Sequence, residues 1–190
     1  MNDSHVAADR VFSPRTLTLI ALIVGAVAVR LLIHFVPGVL PYNFTPVEAI
    51  ALFGGALFAD RRLAVLVPLV AMFVSDLIIG LHMLIPLVYA LIVATVWLGG
   101  RLRGRISAGR VAIAAIVSTT GFYLVTNFAV WALGTMYPHT GSGLVACFVA
   151  GLPFFQWQLA GSLLWCTLLF AGWALLSQRF SGLRHAQLAH

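Results

Sequence analysis

Four ionisable side chains interrupt otherwise apolar stretches of this 190-residue sequence: Arg30, His34, Glu48 and Asp76. Placing such a group in hydrocarbon costs about 2.5–3.5 kcal/mol on insertion scales, so each calls for a partner or a cavity. Arg30 and His34 are four residues apart and share a helix face. Glu48 follows Thr45-Pro46, where Thr45 is a candidate N-cap, Pro46 suits a first turn, and a helix N-terminus favours a carboxylate. The pairing open to Arg30 is Glu48 or Asp76. Such a pair serves to hold helices together, to line a ligand pocket, or both.

A second set is aromatic and polar. Tyr42, Asn43, Phe44, His82, Met83, Tyr89, Asn127, Trp131, Tyr137 and His139 fall in connections or at the neighbouring ends of apolar stretches. Singly, such aromatics are interface anchors. Together they resemble a small-molecule pocket, which is mostly apolar and aromatic with a few placed polar groups. Asn127 and Trp131, at i and i+4, present an amide and an indole on one helix face. We therefore expect Tyr42, Asn43, Phe44, Glu48, Asp76, His82, Tyr89, Asn127, Trp131 and Tyr137 to bind a substrate. His82, in the tight turn Gly80-Leu81-His82-Met83, is the one candidate metal ligand, through its imidazole and for a metal-centred ligand only. The plainer reading is a solvated loop histidine.

Catalytic signatures are lacking. No HExxH or GxSxG occurs, and a chain without lysine has no Walker lysine. His139 with Ser142 reads more simply as part of a flexible loop. Cys147 and Cys166 make no metal-ligand or redox spacing. No catalytic residue, enzyme activity or resident cofactor is expected. The alternatives are a membrane enzyme or haem-type redox protein using His34, His82 or His139, and a structural membrane protein whose aromatics are anchors.

The elements that must position these groups follow from composition. The chain is 62% hydrophobic and 8% charged, with a mean hydropathy of +1.04. Soluble domains carry roughly 25% charged residues, so the composition predicts an all-α integral membrane protein. Its single domain, residues 1–190, divides into six transmembrane segments at 17–36, 47–59, 63–80, 84–100, 111–134 and 154–177. Tails at 1–16 and 178–190 flank them, and the first lacks a signal-peptide pattern. Residues 47–59 are short for a span. Residues 135–153 read as a long uncharged connection with a short interfacial helix over 144–150.

All eleven basic residues are arginine. Arg10 and Arg15, then Arg61 and Arg62, then Arg101, Arg103, Arg105 and Arg110, then Arg179 and Arg184 fall on alternate connections. The three other connections carry no arginine or lysine. This alternation predicts cytoplasmic ends and outward-facing uncharged connections in a cell inner membrane. The net charge of +6 thus reports topology, and nucleic-acid binding is rejected. Small residues at Ala21 and Gly25, Gly55 and Ala59, and Ala160 to Ser162 permit close helix approach, either within the bundle or, at Ala21 and Gly25, against a partner.

The segment Phe44–Phe58, FTPVEAIALFGGALF, then Ser75-Asp76-Leu77 with Gly80, Pro86 and Tyr89, resembles the substrate-binding (S) components of energy-coupling-factor vitamin transporters. More closely, Asn43 to Val47, Thr126-Asn127-Phe128 with Trp131, Tyr137-Pro138, Cys147 and Pro153-Phe154-Phe155 are similar to bacterial membrane transport proteins of S-component type. The likeness runs from about residue 17 to residue 176. It implies a six-helix bundle of S-component type that captures a small vitamin-like molecule for uptake. It also implies an energising transmembrane and ATPase module as partner, docked at Ala21 and Gly25. Solitary S components for cobalamin are similar in size, which makes cobalamin the leading named substrate. Their cobalt-ligating cysteine is absent here, and His82 stands in the corresponding turn.

Overall fold

The computed structural model describes residues 14–179. Most of the two expected tails, with Arg10 and Arg184, lies outside the described residues. Among those described are six α-helices and no strand: α1 (Pro14–Phe35), α2 (Val47–Leu57), α3 (Arg61–Ile79), α4 (Ile85–Gly100), α5 (Ala108–Leu133) and α6 (Gly141–Arg179). Four of them, α1, α3, α5 and α6, are long and apolar enough to cross a membrane. With 11 and 16 residues, α2 and α4 extend about 16 and 24 Å at 1.5 Å per residue. Both fall short of a hydrocarbon core of about 30 Å.

Two expectations about element ends are corrected. The first is Thr45, which does not cap α2: the N-cap is Pro46, with no side-chain cap bond. The Thr45 backbone N–H instead turns back to the Asn43 carbonyl at 2.8 Å. The second is α6, which starts at Gly141 and runs unbroken through Pro153. The connection expected over 135–153 is therefore helix for most of its length. The short helix expected over 144–150 is continuous with the last segment, and Tyr123 of α5 packs on Phe148 before Pro153 and on Phe155 after it.

Helix α2 forms the centre. Its sequence VEAIALFGGAL is apolar on every face apart from Glu48, and Val47 to Ala56 are all buried, as a helix without a polar stripe requires. It packs against α3, α4, α5 and α6. Val47, Ile50 and Ala51 meet Ala64, Val67 and Ala71 of α3 and Val88, Ile92 and Val96 of α4. The opposite face, Ala49, Leu52, Phe53 and Ala56, meets Val111, Ala114 and Ala115 of α5 and Cys166 and Phe170 of α6. The backbones of α2 and α4 nearly touch. A Cβ on Gly55 would collide with the Val96 carbonyl, and one on Gly99 with the Leu52 carbonyl.

Polar caps close the arginine-bearing end. The Asp60 carboxylate accepts from the Arg62 N–H at 2.8 Å, and the Ser107 hydroxyl from the Arg110 N–H at 3.4 Å. Half-buried Arg103 donates to the Gly55 carbonyl at 2.8 Å and to the Phe58 carbonyl at 2.7 Å. Its charge thus sits at the C-terminus of α2, where the helix dipole favours a cation. Helix α1 stands at the periphery and packs mainly on α3. Ala21 and Gly25 are exposed on it, and a Cβ on Gly25 would meet nothing within 4 Å.

Candidate functional site

The buried polar chemistry gathers at the end of the bundle opposite those arginines. Glu48, in the first turn of α2, is 5% exposed. Three side chains from two helices donate to it. Thr119 of α5 reaches Oε2 at 2.8 Å, Ser162 of α6 reaches Oε2 at 2.7 Å, and Gln158 of α6 reaches Oε1 at 2.8 Å. Gln158 and Ser162 are four apart and so share a face. Gly161 lets this face close on Phe44, whose backbone lies 3.1 Å from where a Cβ would stand.

Next to it is an ion pair. Arg30 of α1 meets Asp76 of α3 at 2.5 Å and donates through Nε to the Ser75 hydroxyl at 2.6 Å. The Tyr89 hydroxyl of α4 donates to the other Asp76 oxygen at 2.9 Å. The Ser75 hydroxyl in turn donates to the α3 carbonyls of Ala71 and Met72. Of the two pairings open to Arg30, the structure forms the one with Asp76. It is the one ion pair among the described residues.

A cavity of about 250 Å³ lies between the two clusters. Every helix contributes to its lining: Arg30 from α1, Val47 and Glu48 from α2, Met72 from α3, Val88 and Ile92 from α4, Phe122 from α5 and Gln158 from α6. Asn43, Thr45 and His82 reach it from the connections. Asn43 holds a left-handed φ of 65°, a conformation that asparagine tolerates better than most residues. A larger cavity, about 600 Å³, lies between α5 and α6 near the arginine-bearing end. Its lining has no charged side chain, whereas the smaller cavity is the one around which the buried Glu48 cluster and the Arg30–Asp76 pair gather, and it is the candidate site.

The residues singled out in sequence divide into two groups. Asn43, Glu48 and His82 line the cavity, and Asp76 and Tyr89 stand behind Arg30 on its wall. Phe44 packs on Trp165 with ring centroids 6.4 Å apart. Tyr42 is exposed beside Phe154 at 6.3 Å. The others are elsewhere. The Asn127 amide donates to the Tyr123 carbonyl of its own helix at 2.8 Å and packs on Gly151. The Trp131 indole donates to the Pro138 carbonyl at 3.0 Å, with His139 against its ring. Tyr137 lies half-exposed in the same α5–α6 connection. Asn127 and Trp131 belong to the lock between α5 and α6, together with the Tyr123 hydroxyl on the Phe148 carbonyl at 2.6 Å and the Cys147 thiol on the Asn127 carbonyl at 3.3 Å.

Thr119, Gln158 and Ser162 were missed as site residues in sequence. A signal existed: a polar amide and a hydroxyl at i and i+4 inside an apolar stretch need a buried partner, and Glu48 and Asp76 are the buried acceptors that could answer their donors. The three histidines have separate surroundings. His34 is exposed beside Phe35, His82 lies at the cavity, and His139 is in the α5–α6 lock. Among the described residues no three His, Cys, Asp or Glu side chains cluster as a metal site.

Fold and site together define an all-helical protein of membrane type, with a small polar cavity inside an apolar bundle. The chain belongs to the family of unknown function DUF6580, which it matches over residues 10–186. No curated protein and no solved structure matches it.

Proposed function

We propose that this protein is a membrane-embedded substrate-binding protein for uptake of a small vitamin-like molecule, built as a six-span bundle of S-component type. One observation carries the reading: all six helices converge on one cavity whose wall holds Arg30, Asn43, Thr45, Glu48, His82 and Gln158 beside an apolar face of Val47, Met72, Val88, Ile92 and Phe122. Buried polar groups are costly in such a bundle, and a bundle that needed only to hold together could use apolar packing throughout. In this reading α2 and α4 also cross, α2 as a short central helix whose ends stay within protein, which satisfies their backbone groups. The arginine-bearing connections face the cytoplasm and the cavity opens outward. An energising module would meet the bundle on the exposed Ala21 and Gly25 face of α1.

Size constrains the substrate. A volume of about 250 Å³ is the liquid share of about eight water molecules and lies just under the usual range for small-molecule sites. Cobalamin, the substrate named by the resemblance, is many times larger and would need the bundle to open widely. His82 would then be its cobalt ligand. Smaller vitamins need less rearrangement. The reading is tested by native mass spectrometry of the full-length protein in detergent, with thiamin, biotin, riboflavin and cobalamin. Retention of one of them, and its loss in Gln158→Leu, supports substrate capture. A folded protein that retains none, from cells whose uptake of all four is unchanged on deletion, refutes it.

A further inference from the structure

The charges around the cavity do not balance. Arg30 is matched by Asp76 at 2.5 Å, with Ser75 and Tyr89 completing the cluster. Glu48 has no such match. The groups that face it from the neighbouring helices are the neutral donors Thr119, Ser162 and Gln158, with the Cys166 thiol of α6 nearby. Three hydrogen bonds and the N-terminus of α2 stabilise a carboxylate there, yet the helix end supplies only about half a unit charge. His82 reaches the cavity from an exposed turn, where solvent screens it. As a carboxylate, a group 5% exposed in an apolar bundle would lack most of its counter-charge, and the cavity is where a counter-charge has room.

We infer that the ligand of this cavity is a small organic cation, an ammonium or amidinium group carried on a flat apolar body, with Glu48 as its counter-ion. This rests on the reading of the cavity as a substrate site and narrows the substrate class. The cationic head donates to the Glu48 oxygens, and the Gln158 side chain and Asn43 orient it. The body lies on Met72, Val88, Ile92 and Phe122, the apolar part of the wall. Arg30 lines the same cavity with Asp76 behind it; its charge is compensated from within the wall, and the body of the ligand lies between it and the cationic head. An anionic ligand would instead face an unmatched carboxylate.

Three probes of nearly equal shape isolate charge: benzamidinium, benzamide and benzoate. Their binding to the full-length protein in detergent is read by isothermal calorimetry. Benzamidinium is expected to bind at least about tenfold more tightly than benzamide, the difference between a charge-assisted and a neutral hydrogen-bonded pair, and benzoate more weakly than both. Glu48→Gln keeps the side-chain volume and is expected to remove the preference. Should that variant misfold, dicyclohexylcarbodiimide supplies a readout on the wild type: benzamidinium is expected to slow adduct formation at Glu48 more than benzamide does. Equal or tighter binding of benzamide or benzoate would overturn the cation assignment and leave the cavity as a binding site. A cation preference that survives intact in Glu48→Gln would remove Glu48 as counter-ion. If none of the three binds, the cation assignment falls, and the wider reading falls with it only if the vitamin panel also fails.

Discussion

The Arg30–Asp76 pair lends itself to a quantitative test, because its two members are buried to different degrees. The Arg30 side chain is 18% exposed and borders the cavity, while that of Asp76 is 3% exposed. Removing one member of a buried pair costs about 3–5 kcal/mol, since the survivor is left uncompensated. Asp76→Leu strands the guanidinium with the Ser75 hydroxyl alone, but water in the cavity reaches it, so the cost should fall at the low end, about 3 kcal/mol. Arg30→Met strands a deeper carboxylate that keeps the Tyr89 donor, for a similar loss. The double variant removes both charges and should lie within about 1 kcal/mol of wild type, because apolar replacement of a whole buried pair is close to neutral. The coupling energy in this cycle should therefore exceed about 2 kcal/mol, well outside the additivity expected of independent sites. Equilibrium unfolding of the purified protein by dodecyl sulfate in mixed micelles measures it. A coupling below about 0.5 kcal/mol would mean the two groups are solvated separately, and the account of a paired, neutral wall would be wrong.

Three further outcomes are open to measurement. Gly55→Ala should lower stability by about 1–3 kcal/mol through overpacking, since the new methyl meets the Val96 carbonyl, whereas Gly25→Ala, with open space around it inside a helix, should leave the unfolding midpoint unchanged or raise it. Arg103→Ala, which frees the Gly55 and Phe58 carbonyls, should cost about 2 kcal/mol; the same change at the exposed Arg105 should cost under about 0.5 kcal/mol, and equal effects would deny Arg103 its capping role. For topology, Leu81→Cys and Arg105→Cys should react with an impermeant maleimide from opposite faces of the membrane, the native Cys147 and Cys166 staying silent because they are buried. Labelling of both from one face would break the alternation on which outward capture depends.

Much of the fold was legible in the sequence because membrane helices are announced by composition, and six apolar stretches did become six helices. What sequence could not supply was reach. The stretch after Thr126 carries Asn127, Trp131 and Tyr137, which look like site residues by type. Yet α6 starts at Gly141 and zips against the end of α5, and the Asn127 amide and Trp131 indole donate to nearby carbonyls. Periodicity finds a face but not the partner that covers it. Conversely Glu48 and Asp76 stood out by charge alone, whereas the Glu48 donors did not. A threonine, a serine and a glutamine are ordinary on a helix, and they acquire a role only when α5 and α6 bring them within 2.7–2.8 Å of one carboxylate.

The position of the cavity follows from a mismatch of helix lengths. At 26 residues α5 runs about 39 Å and α3, at 19, about 28 Å, while α2, which lies among them, runs only about 16 Å. Both glycines of its Gly54-Gly55 pair press against neighbours at the arginine-bearing end, and Arg103 pins that end further. The shortfall is thus forced to the other end, where α2 begins at Val47 and Glu48 occupies its first turn. Space that a longer helix would fill is left beneath the Asn43 to Pro46 turn, bounded by the walls of its longer neighbours. A carboxylate at the top of a short central helix therefore faces the void by construction, and the donors on α5 and α6 are at the height needed to hold it there. The same close packing of α2 on α4 that fixes the bundle thus also fixes the depth at which a ligand would meet Glu48.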